Sequence, residues 1–225
     1  IYYGVDITSI DDTGEKVKIV GREGGNLNSL EADYVICTIP AKAMNRVQIE
    51  PSIPEEKQMA IENMPYLDIT RTFLQVAEPI WMDKGISGNA VTDLTTGAVF
   101  AHVHPTNPKN NSALLENMVA GPKAATMGGM PEKELLEQVV GDMKKVHPEV
   151  GEHFQKGYVK AWSEDPYAQA AVSWPAPGDV GKYLKILQSS HGRIHFAGEH
   201  TSVLRSTMEG ALRSGIRAAK EVHEG

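Results

Sequence analysis

The 225-residue sequence contains one cysteine, so no disulfide can close within it. That residue, Cys37, lies in the apolar run Val35-Ile36-Cys37-Thr38-Ile39, where a thiol packs as a small buried hydrophobe rather than acting as a nucleophile. A lone cysteine fits a reducing compartment and favours a cytoplasmic location. No run of about 18 apolar residues occurs, which excludes a membrane-spanning helix in this chain. No basic stripe occurs either: 22 Lys and Arg are interspersed with 29 Asp and Glu, for a net charge of −7, so nucleic acid is excluded as a natural partner. There is no internal repeat or low-complexity tract, no initiator methionine, no signal-like segment and no G-x-G-x-x-G after a strand.

What is present suits a globular chain, with 41% hydrophobic residues. Residues 3–11 alternate, Asp12-Thr13-Gly14 turns the chain into Lys16–Val20, and Gly24-Gly25-Asn26 makes a second turn. Leu30 to Ile39 is expected as a third strand, covered on both faces. Pro54 opens a short helix carrying Met59, Ala60 and Met64, and Pro65 stops it. Ile69–Val76 reads as a strand with Arg71 and Phe73 on one face and Thr72 and Leu74 on the other; 98–104, 112–119 and 158–162 are further strands. Pro131–Val146 has the spacing of a one-faced helix, and 175–178 reads as a rigid loop.

The C-terminal segment carries the most information. Ile194 to Ala197 is a short apolar strand, Gly198 a turn, and Met208, Ala211, Leu212, Gly215, Ile216, Ala219 and Val222 recur at helical spacing, predicting a helix from Thr207 and Met208 with that face buried. A glycine turn leading to a helix start favours an anion.

The string Phe196-Ala197-Gly198-Glu199-His200-Thr201, with Met208-Glu209-Gly210-Ala211 after it, resembles the C-terminal flavin signature of the flavin-containing amine oxidases, closest to the L-amino acid oxidase branch. Tyr34–Pro40, Glu50–Pro54, Trp162–Tyr167 and the Trp174–Gly178 loop extend the resemblance, in family order, over nearly the whole chain. The resemblance implies FAD as cofactor and an amine or amino acid as small-molecule substrate, with hydride passing to the flavin and the imine hydrolysing to carbonyl and ammonia while oxygen yields hydrogen peroxide. It places Gly198 and Glu199 near the ribityl and phosphate region, Glu199 accepting a hydroxyl bond, and Met208 at the flavin ring. It places Trp162 beside the ring, Trp174 on the substrate pocket wall and Tyr167 as support for that wall.

Two positions depart from the family pattern. Arg71 stands where relatives carry a lysine that holds a water, and arginine could clamp a carboxylate or water but not deprotonate. Thr207 stands where relatives carry an aromatic residue facing the flavin, which permits a more polar substrate. Leu204 and Arg205 share that loop, and Arg205 could meet an acidic substrate group. His102 and His104 have a spacing that two metal ligands could use, but no third ligand recurs with them, so no metal is expected. His195 and His200 flank the turn without a Ser or Cys partner for nucleophilic chemistry.

The expected architecture is α+β, a partial α/β family fold: a β-meander at 1–45 and the strand and helix of 188–225 from a Rossmann-like FAD domain, with a mixed-sheet substrate domain at 46–187. The absent dinucleotide fingerprint makes the C-terminal portion or one processed chain of a longer oxidase the expectation, inactive alone, with its Ile36 and Leu212 faces covered by an N-terminal half, a partner chain or a second copy. A non-catalytic module, or a flavin oxidase or desaturase of the protoporphyrinogen oxidase or carotenoid desaturase type, is the alternative.

Overall fold

The computed structural model describes residues 1–103 and 112–225, and the chain divides into two compact units, Ile1–Tyr66 with Pro166–Gly225 and Leu67–Asp165. In the first unit a four-stranded mixed sheet forms from Asn26–Ala32, Val17–Glu23, Val5–Asp11 and Gln48–Glu50, the last pairing parallel with Val5–Asp11. The expected hairpin is there, turning at residues 12–16. The expected third strand is instead two. Asn26–Ala32 extends the hairpin as an exposed strand, and Val35–Cys37 leaves it to pair in parallel with Ile194–Phe196. Asp33 and Tyr34 break the run, and parallel pairing with a strand from the other end of the chain cannot be read from local alternation.

The core of this unit gathers Val17, Cys37, Ala60, Ile61, Met64, Leu187, Ile194 and Phe196. Cys37 is buried, and burial pushes its thiol pKa up. The helix after Pro54 spans Glu55–Asn63, with Ala60 and Ile61 inward and Met59 exposed. Its Lys57 is buried, its ammonium bonded to the carbonyls of Ile186 at 2.8 Å, Leu187 at 3.2 Å and Ser189 at 2.5 Å. Those carbonyls end a helix, Asp179–Gln188, where only a loop was expected. Arg193 joins the two ends of the chain: its main-chain N–H and Nε reach Asp12, and Nη2 reaches the Gly14 carbonyl.

The second unit is a five-stranded sheet, ordered Phe154–Ala161, Ile69–Val76, Ala113–Ala120, Ala98–Val103 and Ala90–Val91. Its pairings are antiparallel throughout; the mixed sheet lies in the first unit. Ile69–Val76 alternates as the sequence predicts, sending Thr70, Thr72, Leu74 and Val76 into the core and Ile69, Arg71, Phe73 and Gln75 to a half-open face. The core face is covered by helices Pro122–Gly128 and Glu132–Val146, the second burying Leu135, Val139 and Met143. No helix among the described residues is long and apolar enough to cross a membrane.

Candidate functional site

In the first unit the parallel strand Ile194–Phe196 runs into Gly198, a one-turn 3₁₀ helix at Glu199–Thr201, a loop, and the helix Met208–Glu224. Gly198 sits at φ +132°, a conformation closed to other residues, and a Cβ there would lie 2.5 Å from the His200 ring. Its N–H is bonded to Ser214 Oγ at 2.8 Å, docking the turn onto the helix. Gly210 is needed for a different reason, since a Cβ there would lie 1.9 Å from the Leu204 carbonyl oxygen. The helix faces the protein through Gly210, Ser214 and Ala218. The larger apolar face is open to solvent in this chain, as anticipated for the Ile36 and Leu212 faces without further covering: Met208 is 91% and Leu212 62% exposed, and Ile216 and Ile36 are exposed as well. Small residues let the backbones approach, and the large ones are left on the outside.

Thr207 is the N-cap of this helix. Its Oγ1 accepts from the Gly210 N–H at 3.0 Å and donates to the Leu204 carbonyl at 2.6 Å, so the hydroxyl that stands in place of an aromatic ring has a structural task. Among the described residues no acceptor faces the N–H groups of Met208 and Glu209. A helix start with two open donors and roughly half a positive charge favours a delocalised negative charge.

Within the protein Glu199 accepts a bond from Ser173 Oγ at 2.8 Å. It also accepts the Ser173 N–H at 2.9 Å and the Ser206 N–H at 2.7 Å. The carboxylate thus ties the turn to the strand Val172–Ser173 and to the loop before the helix. Arg205 is half-buried rather than a surface residue: Nη1 donates to the His200 carbonyl at 2.8 Å, while Nε and Nη2 are buried without a protein partner. Both flanking histidines are buried, not exposed. His195 Nδ1 is 3.1 Å from Glu221, and burial pushes the His200 pKa down to about 4, so its ring stays neutral. In the same unit Trp174 and Tyr167 are exposed, Trp174 anchored through its main-chain N–H to the Pro65 carbonyl and Tyr167 with the Arg46 guanidinium 5.3 Å from its ring centre.

In the second unit Arg71 is ion-paired with Glu116, and Trp162 continues from the edge strand with the Lys160 ammonium 4.8 Å from its ring. Glu116 was not anticipated. The one signal for it is a carboxylate in the strand Ala113–Ala120, whose other residues apart from Asn117 are apolar. His102 bonds that same carboxylate at 2.9 Å, and His104 lies outside the described residues. Among the described residues no group of three or more His, Cys, Asp or Glu is arranged to hold a metal ion.

The residues present fit the ring end of a flavin, through the open N–H groups of the helix start. Residues 1–223 match the flavin containing amine oxidoreductase family. An L-amino-acid oxidase of Siganus canaliculatus is 33% identical over 94% of this chain and 41% of its own length. A flavin-dependent L-tryptophan oxidase of Lentzea aerocolonigenes is 27% identical over 99% of the chain and 48% of its own. The chain thus spans less than half the length of these relatives. Among solved structures, cyclohexylamine oxidase from Brevibacterium oxydans superposes with a TM-score of 0.82 at 20% identity, over 98% of this chain and 48% of that one. Wild-type putrescine oxidase bound to putrescine also gives 0.82, at 17% identity, over 98% and 49%. These two likenesses speak for the fold. The match along nearly its whole length makes the chain a member of the flavin-containing amine oxidoreductases, with FAD as cofactor.

Proposed function

We propose that the chain works as part of an FAD-dependent oxidase of amines or L-amino acids, together with polypeptide supplying the dinucleotide fingerprint that this sequence lacks. The strand, glycine turn and capped helix carry the proposal. When bound, FAD supplies the hydride acceptor for oxidation of an amine to an imine, which water hydrolyses to carbonyl and ammonia while oxygen is reduced to hydrogen peroxide.

In this reading the N–H groups of Met208 and Glu209 hold negative charge on the flavin ring, worth about 0.3–1 kcal/mol for each well-placed charge near a helix start. Thr207 serves by capping Gly210, which fixes the first turn and leaves the outer two donors for the cofactor. Glu199 serves indirectly, because three bonds from Ser173 and Ser206 hold the loop in which the helix begins. In the first unit Trp174 and Tyr167 offer exposed aromatic surface, and in the second Trp162 offers an aromatic ring and Arg71 a permanent positive charge. The substrate-binding part is assigned to 46–187, and the flavin-binding parts to 1–45 and 188–225. The exposed Ile36, Leu212 and Ile216 form an apolar face that further polypeptide covers.

Anaerobic mixing of the FAD-loaded full chain with amines and L-amino acids tests the proposal. Bleaching of the flavin bands, followed in air by ammonia and peroxide, is the expected result. A protein that purifies colourless, or whose flavin no amine or amino acid reduces, overturns it.

A further inference from the structure

The half-open face of the second unit's sheet holds a cluster of three polar side chains from three adjacent strands. Arg71, on Ile69–Val76, donates through Nη1 to Glu116 Oε1 on Ala113–Ala120. The other carboxylate oxygen, Oε2, is 2.9 Å from His102 Nε2 on Ala98–Val103. Glu116 is only 7% exposed, whereas the Arg71 and His102 side chains are 39% and 52% exposed. Burying a carboxylate costs several kcal/mol unless its oxygens are bonded, and here both are. Glu116 is thus the fixed centre of the group, and Arg71 is the arm it holds.

Holding Arg71 by Nη1 uses one corner of a guanidinium with five donors. Its Nε–Nη2 edge meets no acceptor among the described residues, and neither atom is sealed in the core. Two parallel N–H bonds on one rigid edge match the two oxygens of a carboxylate, and a lysine cannot offer that geometry. The tether also removes rotamer freedom that a loose arginine would lose on binding. Lys160, opposite Arg71 in register, is already bonded to Asp165 and lies over Trp162. Beside the cluster, Phe73 and Tyr158 stack with ring centres 6.4 Å apart, giving the face an apolar area next to its charged one.

We propose that the free edge of Arg71 recognises the substrate carboxylate, with Glu116 as its positioning residue, so that the substrate class is α-amino acids in preference to simple amines. This rests on the oxidase reading above. The role of Arg71 is then specificity-determining, and it requires no proton transfer.

The test uses the FAD-loaded full chain with L-leucine and with 3-methylbutylamine, the same molecule without its carboxylate. Calorimetry alongside measures binding of 4-methylpentanoate, which keeps the carboxylate and lacks the amine. Wild type is expected to favour leucine. Arg71→Met should lower the leucine-to-amine ratio of kcat/KM by about 10- to 100-fold and weaken 4-methylpentanoate by a similar factor, as loss of a charge-assisted contact requires. Arg71→Lys should recover only part of the ratio. Glu116→Gln should raise the leucine KM by about 2- to 10-fold with kcat nearly unchanged, the effect of an untethered side chain. A merely structural role would slow both substrates together and leave the ratio where it was. An unchanged ratio in Arg71→Met and Arg71→Lys, or a wild type that oxidises the amine and not leucine, overturns this inference and leaves the oxidase reading standing. Flavin reduced by no amine and no amino acid overturns both.

Discussion

The two units place polar side chains in opposite ways. In the first, the residues around the turn are used up on one another: Glu199 takes three bonds, Thr207 caps the helix, Gly198 is bonded to Ser214, and His200 is neutral and buried. What remains open there is the pair of main-chain N–H groups at the start of Met208–Glu224 and two buried guanidinium nitrogens of Arg205. In the second, a buried carboxylate holds the charged side chain of Arg71 on an open face, with donors to spare. A rigid frame that presents backbone suits a cofactor bound once, and a tethered side chain that presents hydrogen bonds suits a substrate exchanged at each turnover.

Substitutions should separate the two regions, with stability lost in the first and little lost on the open face of the second. Gly210→Ala has the largest expected effect, since its methyl would meet the Leu204 backbone; a loss of about 3 kcal/mol or more, or failure to fold, is expected in denaturant unfolding. Lys57→Met strands three carbonyls at the end of Asp179–Gln188 and should cost about 2–4 kcal/mol by the same measurement.

His200 gives the first unit a pH signature. Its folded pKa of about 4 lies below the ordinary 6.5, so between those values the unfolded chain binds a proton that the folded chain refuses. This contribution to stability is complete above pH 6.5 and is lost as pH falls toward 4, up to about 3 kcal/mol. Thermal melts between pH 7 and 4.5 should show a steeper decline for wild type than for His200→Asn; parallel profiles would contradict the neutral buried ring. Thr207→Ala removes one cap and should cost about 1 kcal/mol, Thr207→Ser much less. Arg71→Met combined with Glu116→Gln, which leaves no buried charge without its partner on the open face, should change stability by no more than about 1 kcal/mol. A larger loss there would erase the contrast between the units.

The parts legible in the sequence were those with local causes. Alternation in Ile69–Val76 and the apolar stripe of Glu132–Val146 gave those elements and their buried faces, and Thr207 ahead of Met208 gave the start of the last helix. Asp179–Gln188 was hidden by Pro175, Pro177 and Gly178 before it and Gly181 within it, and Leu187 is its one fully buried residue. The partners of Glu199 and Glu116 come from strands 26 and 45 or fewer residues away, and no periodicity reports which side chains a fold brings together. The terminal helix has two faces, and a hydrophobic count reports only the larger: Gly210, Ser214 and Ala218 make the contact within this chain, while Leu212 and Ile216 lie on the face expected to need further covering.

The flavin position in a crystal structure of the FAD-loaded full chain tests the central claim most directly. The account predicts the flavin ring at the start of Met208–Glu224, accepting a hydrogen bond from the Met208 or Glu209 N–H, with Glu199 still bonded to Ser173 and Ser206. A flavin bound elsewhere, with those two N–H groups facing only solvent, would contradict it.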